Sequence, residues 1–493
     1  MTPVPERSRG GRLRQDSREV EPGDVFVALD GIIPARGEWA AAALERGAAE
    51  AWVDTGLEGV PDDPRVRAFD GLVDVIGGLA SDWYGRPSES MTVFGVTGTN
   101  GKTSTVQLLA QAWEALGHRA ATVGTLGAAM HGDELTLNGY TTPPVTRLHE
   151  LLAEFRDRGA THVALEVSSH ALEERRVDGV AFDAVHFANL TRDHLDYHGT
   201  MEHYAAQKAK IYDLFAGRGA DGVGVSRPFP LAIGNLDDDF VRERWLALPV
   251  DRARIGVSSE GFPAASVRAE RIRYDREATR FDLVTPEGTV AVETGLIGRF
   301  NVDNLLAVAA ELRREGVPVE DIARIVPELR PPNGRMWRIA TGAELPTVIV
   351  DAGHTPDAMR QALAALAEYG YDRVLTVFGA TGDRDPGKRP EMARNVESAS
   401  DVVIVTDDDV HDEDGDQIVA QLLAAMQRPD AVTVIRDRGA AVEHAIRLAG
   451  PRDVVLLAGK GHEPMQIVAN HVEIPYSDIE TAERVVAQLL AER

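Results

Sequence analysis

None of the 493 residues is cysteine, which removes disulfides, thiolate zinc sites and cysteine nucleophiles together. Positive charge is in deficit as well. Lys plus Arg number 52 against 78 Asp plus Glu, a formal net charge of −26, which argues against nonspecific attraction to nucleic acid or an anionic membrane. An anionic substrate must therefore be held by locally placed cations. Long apolar runs are missing: no stretch of about 18 residues could span a bilayer. The start, MTPVPERSRGGRLRQDSREV, has no apolar signal core, so the expectation is a cytoplasmic protein with no membrane partner. There is no internal repeat and no low-complexity tract. What is present is an ordinary globular composition, and the length predicts about three domains.

The stretch from Met91 to Leu116, MTVFGVTGTNGKTSTVQLLAQAWEAL, organises the rest. Val93, Phe94 and Val96 form a buried-strand run, and Gly95, Gly98 and Gly101 give the backbone freedom of a tight loop. Leu109, Trp113 and Leu116 share one helical face, so Lys102 and Thr103 sit at a helix start, where unpaired N–H groups favour an anion. In such a loop the lysine reaches β and γ phosphates and the threonine hydroxyl ligates magnesium. A strict phosphate-loop pattern needs glycine where Val96 stands, so the general motif is only partly met. The bland alternative is a glycine turn with a surface lysine.

Before this loop, DVFVAL, EWAAAALERGA, AEAWV and a helical stretch ending near Tyr84 predict a small α/β unit, closed by the linker GRPSES. Asp16, Ser17 and Arg18 precede its first strand and read as a turn or a ligand contact. After the loop, THVALEV is a buried strand with Glu166 near its carboxyl end, followed by Ser168, Ser169 and His170. The run AVHFANL leads into TRDHLDYHGT, so Asp193 and His194 emerge at the same sheet edge if the strands are parallel. A carboxylate and an imidazole there could hold a divalent cation, although magnesium prefers oxygen, and surface histidines are the common alternative.

In MEHYAAQKAKIYDLF the residues Tyr204, Lys208, Ile211, Tyr212 and Phe215 fall on one apolar stripe, with Lys210 off it. An inward lysine snorkels, pairs with an anion, or loses its proton. The neutral amine can then add carbon dioxide to give a carbamate, an oxygen ligand for metal. Between Asp221 and Val290 the pattern loosens into short strands expected to be peripheral to the main sheet. Asn301 and Asn304, at the start of the helix in GRFNVDNLLAVAAELRREG, either cap it or contact a purine.

PELRPPNGR reads as a second linker. TVIVDA, RVLTVFGA, DVVIVT, AVTVIRD and DVVLLAG alternate with helices, predicting a doubly wound parallel sheet. Four of these strands end in polar clusters, DAGHTPD, TGDRDPGKRP, TDDDVHDED and GKGHEPMQ, which points to a site at that edge. FGATGD lacks the full dinucleotide spacing, so a nicotinamide site is not expected. The fold class is α/β with three domains: 1–90, small and N-terminal; 91–333, a central phosphate-loop ATPase with a parallel sheet; and 334–493, Rossmann-like and doubly wound.

GVTGTNGKTST, the TTP of NGYTTPP, EVSSHAL, TRDHLDYHGT with AAQK, GRFNVDN, NGRM, HTPD, GDRDPGKRP and GKGHE occur in one order. Together they resemble the Mur ligase family, in its MurE type, over essentially the whole chain. The resemblance implies ATP and Mg2+, and addition of a diamino acid to UDP-N-acetylmuramoyl-L-alanyl-D-glutamate through an acyl phosphate, in peptidoglycan precursor synthesis. It also implies a UDP-binding first domain and a last domain that brings the amino acid, and domain closure is expected because nucleotide and amino-acid contacts lie on different domains. A monomer is expected.

By the same resemblance Gly98, Thr99, Asn100, Gly101, Lys102, Thr103 and Ser104 cradle the nucleotide phosphates, with Asn301, Arg335 and Asp351 as further nucleotide contacts. Thr103, Glu166, His194 and a carbamylated Lys208 (N6-carboxylysine) match the metal sites, and Lys102, Glu166, His194 and Lys208 the catalytic set. Thr141, Thr142, Ser168 and Arg176 match positions holding the muramoyl dipeptide, and Ser17 one contacting UDP. Arg384 matches the arginine gripping the incoming α-carboxylate, and Gly459 and Glu463 match contacts to the far end of the amino acid.

Enzymes of this type that add meso-diaminopimelate carry Asp-Asn-Pro-Arg where this chain has Asp408, Asp409, Val410 and His411. A neutral histidine cannot make the bidentate contact, and Asp409 would repel a carboxylate but attract an ammonium. The expectation is L-lysine or L-ornithine, with meso-diaminopimelate, or another amide ligase of the superfamily, as the alternative. A protonated His411 would weaken that inference. DAGHTPD also lacks the tyrosine usual after its Asp. A noncatalytic nucleotide-binding scaffold and a dehydrogenase are the readings from other classes.

Overall fold

In the computed structural model the described residues are 11–31, 36–136, 139–214, 231–342, 344–383 and 386–492, with Asp196 described for its backbone only. The chain forms two compact units. The first comprises Met1–Ala269, Val284–Thr289 and Asp303–Ile325, and the second Glu270–Leu283, Val290–Val302 and Val326–Arg493.

The first unit begins with β1 (Leu13–Arg14), β2 (Val25–Ala28), α1 (Glu38–Glu45), β3 (Glu50–Asp54), β4 (Val66–Phe69) and α2 (Leu72–Trp83). The four strands are parallel in the order β1-β2-β3-β4. Strand alternation sorts the apolar residues of β2 onto two faces. Val25 and Val27 pack with Trp52, Leu72, Ile76 and Trp83, while Phe26 and Ala28 pack with Ala40, Ala43 and Leu44. With both faces covered, β2 is buried throughout, which is why it reads as a continuous apolar run.

Next come β5 (Thr92–Thr97), α3 (Lys102–Ala115), β6 (Ala120–Gly124), β7 (Gly127–Met130), α4 (Val145–Asp157), β8 (His162–Glu166) and α5 (Ser169–Glu173). Then follow β9 (Ala184–Phe187), α6 (Leu195–His198), α7 (Met201–Asp213), β10 (Leu231–Asn235), α8 (Asp239–Leu246), β11 (Arg254–Ser258), β12 (Val267–Tyr274), β13 (Thr279–Thr285), β14 (Gly288–Thr294), α9 (Arg299–Arg314) and α10 (Val319–Ile325). The sheet order is β14-β13-β12-β11-β10-β9-β5-β8-β6-β7, and the division between the units passes through β12, β13, β14 and α9. From β12 to β6 the strand pairs are parallel, and β7 is an antiparallel edge.

Two sequence expectations need correction. β10 and β11 are parallel members of the main sheet rather than peripheral pieces; each is short, which blurred the pattern. The central sheet is also not wholly parallel. A turn at Thr125–Leu126 folds the chain straight back, and only an antiparallel partner can follow so short a link. Residues 221–230, and Phe215 of the predicted apolar stripe, lie outside the described residues.

The second unit continues with β15 (Trp337–Ile339), β16 (Thr347–Asp351), α11 (Pro356–Ala367), β17 (Val374–Phe378), α12 (Arg389–Ala399), β18 (Val402–Val405), α13 (Gly415–Ala424) and β19 (Thr433–Val434). It ends with α14 (Arg438–Leu448), β20 (Val454–Ala458), β21 (Met465–Val468), β22 (Val472–Pro475) and α15 (Asp478–Ala491). The order β15-β16-β20-β17-β18-β19 is parallel from β16 onward with β15 antiparallel, a doubly wound sheet with an apolar cluster on each face. Thr355 caps α11 by accepting the Ala358 N–H, and Pro356 opens the helix, as the sequence indicated. Among the described residues no helix is long and apolar enough to cross a membrane.

Candidate active site

β5 ends at Thr97 and α3 begins at Lys102, so the loop between them presents the first turn of a helix to the carboxyl edge of the sheet. Gly101 has φ 86°, and a Cβ there would lie 2.6 Å from Asn304 Oδ1, so glycine is required on both counts. Val96, where the strict pattern wants glycine, is fully buried in β5. The loop is shorter than the general motif assumes. Residues after β9 lace it in place: Asn189 Oδ1 accepts from Asn100 N at 2.9 Å, and Thr99 Oγ1 bonds Thr191 O at 3.1 Å and Tyr204 Oη at 3.2 Å.

Lys102 Nζ folds back onto Gly98 O at 2.7 Å and Thr99 O at 3.0 Å. Lys208 Nζ reaches the same Gly98 oxygen at 2.8 Å from α7, with its side chain over the Tyr204 ring. At 1% exposure Lys208 does not snorkel. Burial holds its pKa well below the ordinary value, and the neighbouring Lys102 adds to the depression. Both effects favour the neutral amine over the charged one.

Glu166 ends β8 next to β5 and is buried. Thr125 supplies both its N–H, at 2.9 Å, and its hydroxyl, at 3.2 Å, to the carboxylate. Burial raises the Glu166 pKa, opposed by Lys102, Thr125 and Thr103. A Cβ on Gly124 would overlap Glu166 Oε1, so the backbone is cut away to admit this side chain. A buried carboxylate short of positive charge beside Thr103 is the donor set that a small, hard cation satisfies. His194 caps α6 in a left-handed conformation at φ 50°, beside Asp193 at 3.3 Å and edge-on to His170 at 5.1 Å.

The muramoyl-dipeptide candidates connect Glu166 to a cavity of about 790 Å³. Thr142 Oγ1 donates to Glu166 O at 2.7 Å and accepts from Ser168 N at 3.1 Å. Arg176 donates to Thr142 O at 2.7 Å, and Thr141 bonds Thr125 at 3.1 Å. Arg176 and Tyr140 line the cavity together with Ser17, Arg18, Arg147 and Thr136. Ser17 sits in a short turn capped by Asp16, so the turn and the pocket wall are the same feature.

In the second unit Asn301 is buried in α9 and donates to Ile297 O at 2.9 Å instead of capping the helix. Asn304, counted with the first unit, accepts from Thr105 Oγ1 at 3.2 Å. Asp351 ends β16, where it accepts from Met336 N and Gly353 N, and Gly459 N donates to its carbonyl at 2.9 Å. Burial raises its pKa against the pull of Arg335. Asp408 is buried near Arg438, which bonds Ala458 O at 3.0 Å and Asp478 at 2.7 Å. Lys460 pairs with both Asp409 at 2.8 Å and Glu463 at 2.7 Å. His411 faces His471 at 3.3 Å. Arg384 lies outside the described residues.

Sequence reasoning missed Thr125, Asn189 and Lys460. Asn189 carried a signal, a polar residue at the end of an apolar strand. Thr125 and Lys460 act through partners 41 and 51 positions away, which no local pattern reveals.

Two family models cover most of the chain: the Mur ligase middle domain over residues 96–312, and the glutamate ligase domain of Mur ligases over 334–461. The chain belongs to the Mur ligase family. It resembles the UDP-N-acetylmuramoyl-L-alanyl-D-glutamate–2,6-diaminopimelate ligase of Xylella fastidiosa strain 9a5c, with 47% identity over 97% of this chain and 94% of that one. The Pseudomonas aeruginosa PAO1 protein of the same name is 42% identical over 96% and 94%. A solved structure of a ligase with that name superposes at TM-score 0.73 with 30% identity, covering 97% of this chain and 95% of that chain. The MurF ligase of Thermotoga maritima in complex with ADP shares the fold at TM-score 0.59 and 18% identity, covering 98% of each chain. The protein is thus an ATP-dependent Mur ligase of the MurE type, joining an acid to an amine. The dehydrogenase and noncatalytic readings fall away.

Proposed function

We propose that the protein adds meso-diaminopimelate to the D-glutamate carboxylate of UDP-N-acetylmuramoyl-L-alanyl-D-glutamate in peptidoglycan precursor synthesis. The relatives favour this alternative over the L-lysine or L-ornithine that the sequence motif suggested. Relatives 42–48% identical over 93–97% of this chain carry the diaminopimelate name. The premise about Asp409 also weakens, since Lys460 Nζ and Ile467 N both bind its carboxylate and its charge is already countered.

The chemistry follows from a carboxylate being a poor acyl donor: phosphorylation turns its oxygen into a leaving group. The loop from Gly98 to Ser104 holds the ATP phosphates, and Lys102 swings from Gly98 O to the β and γ phosphates to neutralise developing charge. The dipeptide lies in the cavity lined by Arg176 and Ser17, its carboxylate delivered toward Glu166 by the Thr141, Thr142 and Ser168 edge. The carboxylate attacks the γ phosphorus, ADP leaves, and the amine of the amino acid then displaces phosphate from the acyl carbon. Thr103, Glu166, His194 and Lys208, as a carbamate, would hold magnesium, which supplies charge neutralisation on the phosphate oxygens. Asp351, Arg335 and Asn301 belong to the nucleotide contacts. Arg384, Asp408, Asp409, His411, Gly459 and Glu463 form the amino-acid site of a C-terminal domain spanning 334–493, after an N-terminal domain at 1–90 and a central one at 91–333.

The observation that carries this reading is the convergence of Thr103, Glu166 and two lysines on one phosphate loop in a chain with these relatives. The test is amino-acid-dependent phosphate release with the UDP-muramoyl dipeptide. Diaminopimelate should exceed L-lysine and L-ornithine at least about tenfold in kcat/KM, as expected when a site contact is lost. Faster turnover of either basic amino acid would overturn it.

A further inference from the structure

The sheet end opposite the nucleotide loop carries a second constellation. His118 follows α3, His162 opens β8, and Glu315 follows α9, and one ligand atom from each lies within 4.8 Å of the others. At 1.5 Å per residue, the fourteen residues of α3 put about 21 Å between Lys102 and this cluster. It takes no part in the ligase site.

His162 and Glu315 are each oriented by a neighbour bound to the atom turned away from the cluster. Thr161 Oγ1 lies 2.8 Å from His162 Nδ1, 3.3 Å from Arg119 O and 3.1 Å from Arg119 N, which fixes the ring with Nε2 turned toward the cluster. That nitrogen faces Glu315 Oε2 at 3.5 Å. Trp113 Nε1 donates to the other oxygen, Oε1, at 3.0 Å, which orients the carboxylate. Arg314 is engaged chiefly by Glu311, with bonds of 2.9 and 2.7 Å, and touches Glu315 only at Oε1, at 3.2 Å. The His118 ring lies 4.1 Å from His162, centroid to centroid. An imidazole nitrogen and a carboxylate oxygen 3.5 Å apart, with a second imidazole beside them, make a donor set of two nitrogens and one oxygen converging on one point.

We propose that His118, His162 and Glu315 form a binding site for a borderline divalent transition ion of the Zn2+ type, which braces α3, β8 and α9 at the end remote from catalysis. Two imidazoles and one carboxylate suit zinc and leave one position for water, whereas magnesium would be poorly served by two nitrogens.

The test titrates the full-length protein with Zn2+ calorimetrically in millimolar Mg2+, which occupies oxygen-rich sites. His118→Gln is the first variant, because His118 is only half-buried and its loss leaves the sheet core intact. Glu315→Gln is the second. Each should lose one zinc equivalent or weaken it at least about tenfold, with unchanged melting in chelator. Co2+ should quench fluorescence in the wild type but not in His118→Gln, reporting an ion near Trp113. Unchanged zinc stoichiometry and affinity in both variants would overturn the proposal. So would loss confined to His203→Gln or His471→Gln, which disrupt the other two His-containing clusters.

Discussion

Replacing Lys208 separates a carbamate from a simple cation. Its Nζ and that of Lys102 share the Gly98 oxygen at 2.8 and 2.7 Å, so the two are no farther apart than about 5.5 Å. If both were charged, repulsion at an effective dielectric near 20 would be about 3 kcal/mol, comparable to a large part of a domain's net stability. Burial and this repulsion both hold the Lys208 pKa below its unfolded value. The unfolded chain binds more protons over that range, so stability rises with pH from the depressed folded pKa up to the free-lysine value of 10.5. Lys208→Met keeps the stem against Tyr204, leaves Gly98 O bonded to Lys102, and should change stability by no more than about 1 kcal/mol. It should flatten that part of the pH–stability curve, read by urea denaturation. Phosphate release should fall at least about 100-fold, the scale of removing a preorganised electrostatic partner. Lys208→Arg should fall as far, because a guanidinium neither deprotonates nor adds carbon dioxide. Bicarbonate should restore activity to wild-type enzyme prepared in degassed buffer. If Lys208→Arg keeps activity within about threefold of wild type, the carbamate reasoning is wrong and the residue is only a charge.

Glu166 carries the opposite sign. Its pKa is raised on folding, so the metal-free protein loses stability as pH rises above the ordinary 4.5 through the folded value, and magnesium should flatten that decline. Glu166→Gln should melt no lower than wild type in chelator while losing at least about 100-fold in kcat; a lower melting temperature would contradict the burial argument. Gly124→Ala places a methyl against Glu166 Oε1, and should cost about 1–3 kcal/mol by urea denaturation together with most activity. Arg438 and Asp478 form an ion pair with both side chains fully buried; Asp478→Asn should destabilise the second unit by about 3–5 kcal/mol. Asp409→Asn should shift the preference between diaminopimelate and lysine by less than about threefold, since Lys460 already counters the charge. A tenfold gain for diaminopimelate would restore Asp409 as a discriminator.

Much of the architecture was legible because its signals are local. β2, β5, β8, β9 and the five parallel strands of the second unit are short apolar runs bounded by polar clusters, and each lies where its run predicted. The phosphate loop was legible despite the Val96 mismatch, because the order strand, glycine loop, helix sets its geometry. The weak points were residues whose meaning depends on distant partners. Asp409 reads as an uncompensated charge in the sequence because its partner Lys460 lies 51 positions away.

By itself, the order of residues determined the element types, the position of the phosphate loop at a helix start, and the placing of Glu166 at a strand end. Backbone propensity and side-chain alternation act over a few residues, so these features need no knowledge of the whole. Tertiary structure alone decided which groups share a space: two amines on Gly98 O, Thr125 on Glu166, Lys460 on Asp409, and His118 with His162 and Glu315. Strand order brings together side chains tens to hundreds of positions apart, and charge, proton affinity and metal preference follow from those encounters rather than from any one segment.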